Sequence, residues 1–161
     1  MTSLSPPASR INVFFFRNAK EIYGEGGLAP ATPGSAGLDL RACPEHVDAV
    51  TILPGERCAV PAGLAVEPLE EGVAAFVYSR SGLGAVKGIT VAQGVGLIDP
   101  DYRGEICVFL LNSGRAAYTV RKGERIAQMV FQPFVRPILV PVERLGGTER
   151  GSGGFGHTGL Q

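Results

Sequence analysis

The sequence predicts an all-β fold, a jelly-roll-like sandwich or closed barrel that carries a glycine-rich C-terminal arm. Three observations point there. Glycines at positions 72, 82, 94, 104, 114 and 123 recur every 9 to 12 residues, the turn spacing of a sandwich or barrel. Leu38 and Leu40 alternate with Asp39 and Arg41, the period-two signature of a half-buried strand. Finally, 23 Gly and 12 Pro among 161 residues cut the chain into short pieces. Leu, Ile, Val and Phe still supply 46 residues, enough to fill the core of one domain.

Residues 1–10 are Ser/Pro-rich and read as a flexible tail without the apolar stretch of a signal peptide. Apolar runs follow at 11–16, 50–53, 58–66, 73–78, 89–92, 106–111, 117–120, 126–131 and 135–142, each short enough for strand material. Pro54-Gly55 and Lys122-Gly123 supply turns between them. Only Ser79–Lys87 could hold a helix, of about two turns. The β-domain is expected over 11–145. Residues 146–161 contain seven glycines, so this arm should stay mobile until something pins it. Arg150, Phe155, His157 and Thr158 give the arm a charge, a ring and hydrogen-bonding groups, a set suited to closing over a charged aromatic ligand.

Charge and composition exclude several classes. Fifteen Lys+Arg balance fifteen Asp+Glu, which argues against a duplex-DNA partner needing a basic stripe. The longest apolar run, Ile106–Leu111, falls far short of the roughly 20 residues of a spanning helix, so no membrane segment is expected. Cys43, Cys58 and Cys107 form no CxxC pair, and His46 and His157 complete no zinc spacing. A reducing cytoplasm is the expected location. The stretch Gly151–Gly156 matches G-x-G-x-x-G, yet only five residues remain after it for the helix that fingerprint requires. Neither a P-loop nor a G-x-S-x-G elbow occurs.

Two loops remain as candidate chemistry. Ser79-Arg80-Ser81-Gly82 offers hydroxyls, a guanidinium and backbone amides, the makings of an anion nest. In Gly94–Gly104, Asp99 follows Leu97 and Ile98 and so should sit at the edge of something buried, while Asp101-Tyr102-Arg103-Gly104 reads as a turn.

These fragments occur together with others in a fixed order. Ala36–Ala42, Arg80–Leu83, Gly96–Gly104, Gly123–Gln128 and Arg150–Gly159 resemble the five motifs of the trimeric, all-β dUTP diphosphatases (dUTPases), and the likeness spans residues 11–159. The resemblance implies hydrolysis of dUTP to dUMP and pyrophosphate, which keeps uracil out of DNA and supplies dUMP for thymidylate synthesis. Water would attack the α-phosphorus, with Asp99 as the base that deprotonates it. Arg80, Ser81, Gly82 and Gln128 fall at phosphate-contacting positions. Asp39 would help hold a hydrated Mg²⁺ that is bound mainly through the triphosphate.

The family's uracil pocket is a β-hairpin matching Ile89–Asp99, which includes Gln93, Leu97 and Ile98. Cys107 would flank the base, and Tyr102 would pack on deoxyribose. By the same resemblance the enzyme is a homotrimer with shared active sites, and the arm comes from a neighbouring chain. Phe155 would then stack on uracil and Arg150 would pair with the γ-phosphate, with Gly156, His157 and Thr158 beside them. Two positions depart from the usual pattern: Ser79 stands where many members have proline, and Gln93 where bacterial members commonly have asparagine. A dCTP deaminase shares the Arg80-Ser81 likeness, but no equivalent of its catalytic glutamate segment is present. A non-catalytic nucleotide-binding relative would be expected to lack Asp99 or the arm.

Overall fold

A computed structural model describes residues 9–154. Its first elements are β1 (Ile11–Phe15), α1 (Ala19–Tyr23), β2 (Leu38–Arg41), β3 (Ala49–Ile52), β4 (Arg57–Pro61), β5 (Leu64–Pro68) and β6 (Val73–Tyr78). There follow α2 (Ser81–Lys87), β7 (Ile89–Val91), β8 (Val95–Ile98), β9 (Cys107–Asn112), β10 (Tyr118–Arg121) and β11 (Arg125–Pro133). The strands pair antiparallel throughout, in the orders β2-β11-β6-β8, β4-β9-β7, β1-β5 and β10-β3. The all-β, jelly-roll-like expectation holds.

One core joins these sheets. Leu40, Ile52, Val60, Leu64, Val77, Ile89, Leu110, Val120, Ile126 and Met129 come from nine different strands and meet in a single buried cluster. In β9 the alternation is complete: Val108, Leu110 and Asn112 turn inward, while Cys107 and Phe109 face out. Asn112 is the one buried polar side chain among the described residues, and it is fully satisfied. Its amide donates to the Ile52 and Ala116 carbonyls at 2.8 Å each, and its oxygen accepts the Gly114 amide at 2.9 Å.

The long apolar run at 58–66 is two strands, not one, because Gly63 breaks it at φ 72°. A Cβ there would lie 2.5 Å from that of Ala19, so the turn needs glycine. The helix expected within Ser79–Lys87 forms as α2. The other helix, α1, has no sequence signal, since five residues are too short to display a helical period. It is fixed by Ala19 and Tyr23, both buried, with the Tyr23 hydroxyl donating to the Ala62 carbonyl at 2.9 Å.

The apolar run 135–142 corrects the reading of that stretch as strand material, because it forms none. Pro137 and Pro141 remove two amide donors from it, and Val135, Ile138, Leu139 and Val140 stand exposed, Ile138 at 91 %.

Candidate active site

The first half of the site lies at one end of the four-stranded sheet. Across β2, β11 and β6 the register aligns Asp39 with Gln128 and Gln128 with Tyr78. A bulge in β11 between Arg125 and Ala127 lets Ile126 and Ala127 both enter the core, and it aims Arg125 back at Asp39. The Asp39 carboxylate is therefore forked: Oδ1 sits 3.0 Å from Arg80 Nε and Oδ2 3.0 Å from Arg125 Nη1. Arg80 also donates to the Arg125 carbonyl at 3.0 Å.

Arg80 opens α2. Its carbonyl accepts the amides of Leu83 and Gly84, leaving those of Ser81 and Gly82 ahead of the helical ladder. The Gln128 amide donates to the Ser79 carbonyl at 3.1 Å. Gln128 also packs so closely on Gly37 that a Cβ there would fall 2.6 Å from its side-chain oxygen. Asp39, Arg80, Ser81, Gly82 and Gln128 thus come together.

The second half is the segment from β7 to the turn after β8. It is not a closed hairpin. The chain reverses at Ala92–Gly94, with the Gly94 amide on the Val91 carbonyl at 3.0 Å, but β7 pairs with β9 and β8 pairs with β6. The two arms join different sheets, which corrects the expectation of a hairpin over Ile89–Asp99. Ser79 bridges them: its hydroxyl accepts the Val91 amide at 2.8 Å, a bond a proline there could not supply.

Gly96 is buried against β6, where a Cβ would meet that of Val77 at 3.1 Å. Gln93, Leu97 and Asp99 are exposed and Ile98 is half-buried, so Leu97 does not bury the approach to Asp99 as its apolar character suggested. Asp99 instead begins the turn. The Tyr102 amide donates to its carbonyl at 3.1 Å, with Pro100 in the second position, two residues earlier than the turn read at 101–104.

Arg103 ties this turn down, donating to the carbonyls of Pro100 and Tyr102 at 2.7 and 3.2 Å and to Glu67 at 2.8 Å. Tyr102 is 45 % exposed and folds over Gly104. Cys107 opens β9 opposite Pro61, and desolvation raises its thiol pKa, which makes it a poor nucleophile near neutrality.

Of the arm, Arg150 is described. It lies in a local turn, with Nε on the Gly153 carbonyl at 2.8 Å. Phe155, Gly156, His157 and Thr158 lie outside the described residues. Sequence reasoning passed over Arg125 as a contributor, and it placed Ser79 in an anion nest where the structure has its hydroxyl on the Val91 amide. Arg125 lies inside the Gly123–Gln128 motif, but only the bulge reveals that it reaches Asp39.

The described residues bring together no three His, Cys, Asp or Glu side chains as a cage for a metal. Both Asp39 oxygens are ion-paired with guanidinium groups, so the carboxylate is not arranged to ligate a metal ion directly. No described helix is long and apolar enough to cross a membrane.

An antiparallel β-fold with paired arginines at one sheet end and an exposed Asp-Pro turn at the other defines only a broad class, the all-β proteins. Comparison with known proteins narrows that class. The family model for dUTPase matches residues 27–159. A deoxyuridine 5′-triphosphate nucleotidohydrolase of Escherichia coli O9:H4 is 49 % identical over 131 residues, covering 81 % of this chain and 85 % of that protein. The crystal structure of a dUTPase from Streptococcus mutans superposes with TM-score 0.64 at 26 % identity, over 78 % of this chain and 98 % of that one. The dUTPase of Staphylococcus bacteriophage 80alpha with dUPNHPP shares the fold, with TM-score 0.77 at 24 % identity over 94 % and 99 % of the two chains. The chain belongs to the dUTPase family.

Proposed function

We propose that this chain hydrolyses dUTP to dUMP and pyrophosphate, in active sites shared between the subunits of a homotrimer in the cytoplasm. Family membership at 49 % identity to a dUTP nucleotidohydrolase supports the reaction. It also supports the biological role, removing dUTP before it enters DNA and providing dUMP for thymidylate synthesis.

The division of the site is supported by one relationship in the β6–β8 ladder. Ile98 pairs with Ala75 and Val95 with Tyr78, so Asp99 leaves the ladder beside Ala74 while Arg80 and Ser81 lie beyond Tyr78. From Ala74 to Tyr78 is about 13 Å of strand, and Ser81 is further still. That separation supports a reading in which Asp99 of one chain works with Arg80 and Ser81 of another. The exposed apolar stretch at 135–142 and the arm beyond it favour the same assembly.

In this reading Asp99 accepts a proton from water as the water oxygen attacks the α-phosphorus, and the bond to the β-phosphate oxygen breaks to release pyrophosphate. Ser81 and Gly82 donate amides and Arg80 its guanidinium to the phosphates, with Gln128 adding a contact. Mg²⁺ bound to the triphosphate would neutralise its oxygens, and Asp39 would meet that ion through water. The backbone of 89–99, with Gln93, Leu97 and Ile98, reads uracil, flanked by Cys107. Tyr102 packs on deoxyribose and leaves no room for a 2′-hydroxyl. From the arm, Arg150 meets the γ-phosphate and Phe155 covers the base, helped by Gly156, His157 and Thr158, and closure excludes water.

The test supplies dUTP and dCTP separately to the purified protein and measures pyrophosphate and ammonia. Pyrophosphate from dUTP alone is expected. Ammonia from dCTP would instead identify a deaminase, and no product from either would leave a binding module.

A further inference from the structure

The Tyr102 ring is held by contacts that begin outside the site. Its hydroxyl donates to the Glu105 carbonyl at 3.0 Å, and a Cβ on Gly104 would fall 2.4 Å from the phenol oxygen, so the ring closes tightly on its own backbone. The Glu105 side chain is locked in turn. Its Oε1 accepts from Arg17 Nη2 at 2.5 Å and from the Gly63 amide at 2.8 Å, and its Oε2 accepts from Arg17 Nη1 at 2.9 Å. The adjoining Phe16 amide donates to the Gly63 carbonyl at 2.8 Å, and Arg17 also reaches the Cys43 carbonyl. The two side chains are 34 % and 21 % exposed, a better shielded and more rigid fork than an ordinary surface pair.

We propose that Arg17 and Glu105 are positioning residues for sugar selection. They fix the Glu105 carbonyl, and that carbonyl fixes the ring that walls off the 2′ position. The inference rests on the role given to Tyr102 above and names what enforces it.

Loosening the fork frees the ring to tilt and admits a ribose. The rest of the turn is held independently, because Arg103 bonds the carbonyls of Pro100 and Tyr102 and is anchored on Glu67. Asp99 therefore keeps its place when Arg17 is changed. Selectivity and affinity should suffer while the chemical step survives. Lysine cannot replace the fork, since it offers a point charge in place of two parallel donors.

The test compares dUTP and UTP turnover by the full-length protein and its Arg17→Ala, Arg17→Lys and Glu105→Gln variants. For Arg17→Ala, the dUTP-to-UTP ratio of kcat/KM should fall about tenfold, through a higher KM for dUTP, with kcat for dUTP kept within about threefold. Arg17→Lys should recover thermal stability but not the ratio. Tyr102→Phe removes the anchored hydroxyl, and adding Arg17→Ala to it should lower the ratio no further. An unchanged ratio alongside a lowered melting temperature would reduce the pair to a structural role and overturn the proposal, as would fully additive effects. If Arg17→Ala fails to fold, Arg17→Lys and Glu105→Gln decide the question by the same ratio. A wild-type protein that turns over no dUTP overturns the activity itself, an outcome visible before any variant is made.

Discussion

Asp39 Oδ1 lies 3.0 Å from Arg80 Nε, so the guanidinium proposed to meet the triphosphate is already aimed by a carboxylate from another strand. Arg125 holds the second oxygen at the same distance, which keeps Asp39 from swinging away. Such a fork fixes Arg80 in advance of binding and lowers the entropy lost when the phosphates arrive. The partly buried Asp39 also offsets two positive charges that would otherwise repel each other.

Asp39→Asn should therefore disorder Arg80 and weaken any contact with a hydrated ion. We expect kcat/KM for dUTP to fall about 10–100-fold, as for other carboxylates that orient a site from behind. The Mg²⁺ concentration giving half-maximal rate should rise as well. Wild-type rates and Mg²⁺ dependence in this variant would remove Asp39 from the site.

The separation of Asp99 from Arg80 along β6 leads to a complementation experiment. Asp99→Asn alone should bind dUTP and lose about 10²–10⁴-fold in turnover, the usual contribution of a positioned base. Arg80→Ala alone should also be nearly inactive. Mixed and allowed to exchange subunits, the two should regain activity, because some sites would then combine Asp99 from one chain with Arg80 from another. A site built within one chain permits no such recovery. Mixtures that stay inactive after mass spectrometry has verified exchange would count against shared sites.

How far the sequence foretold this arrangement depends on the range of each interaction. Turn chemistry is local, so the glycine rhythm and the Leu38–Arg41 alternation were legible. Strand β8 was not, because Gly96 and exposed Leu97 give it no core-facing pattern; only Val77 across the ladder explains the glycine. The Asp39–Arg125 contact joins residues 86 apart through a bulge that no periodicity announces. The apolar run at 135–142 looked like a strand because composition cannot say whether a neighbour exists to pair with it. Resemblance to a family named Asp99, Arg80 and Ser81 as site residues, but not that β6 separates them within one chain.

Asn112 provides a test of the core that is independent of chemistry. Its buried side chain ties β3, β9 and the 113–116 loop together through three hydrogen bonds, the one to Ile52 fully buried and the two to the loop part-buried. Asn112→Ala strands the buried Ile52 carbonyl, takes the side-chain partner from the part-buried Gly114 amide and Ala116 carbonyl, and leaves a cavity. The expected loss is about 2–4 kcal/mol, taking account of relaxation and of the roughly 1–3 kcal/mol for each unsatisfied group. Urea unfolding should record it as a lower midpoint with an unchanged slope. A loss below about 0.5 kcal/mol, typical of exposed positions, would contradict this account.

Stability should also fall in alkali for a reason located at Cys43. Its buried thiol is pushed up to about 11 from an ordinary 9.0, first by desolvation and then by the charge of Glu105. As pH rises past 9.0 the unfolded chain releases this proton first, so it binds fewer protons than the native state and stability declines until the native thiol also titrates. Below that range the group contributes no slope. Tyr23, raised above its ordinary value chiefly by burial, adds a second decline that begins higher, beyond pH 10.0. Cys43→Ala should lower stability at neutral pH by leaving a small cavity beside Ala19 and Gly63. Its unfolding free energy should nevertheless change less than that of the wild type between about pH 8 and about pH 10, measured by urea denaturation under reducing conditions. Parallel pH profiles for the two proteins would place the alkaline sensitivity elsewhere.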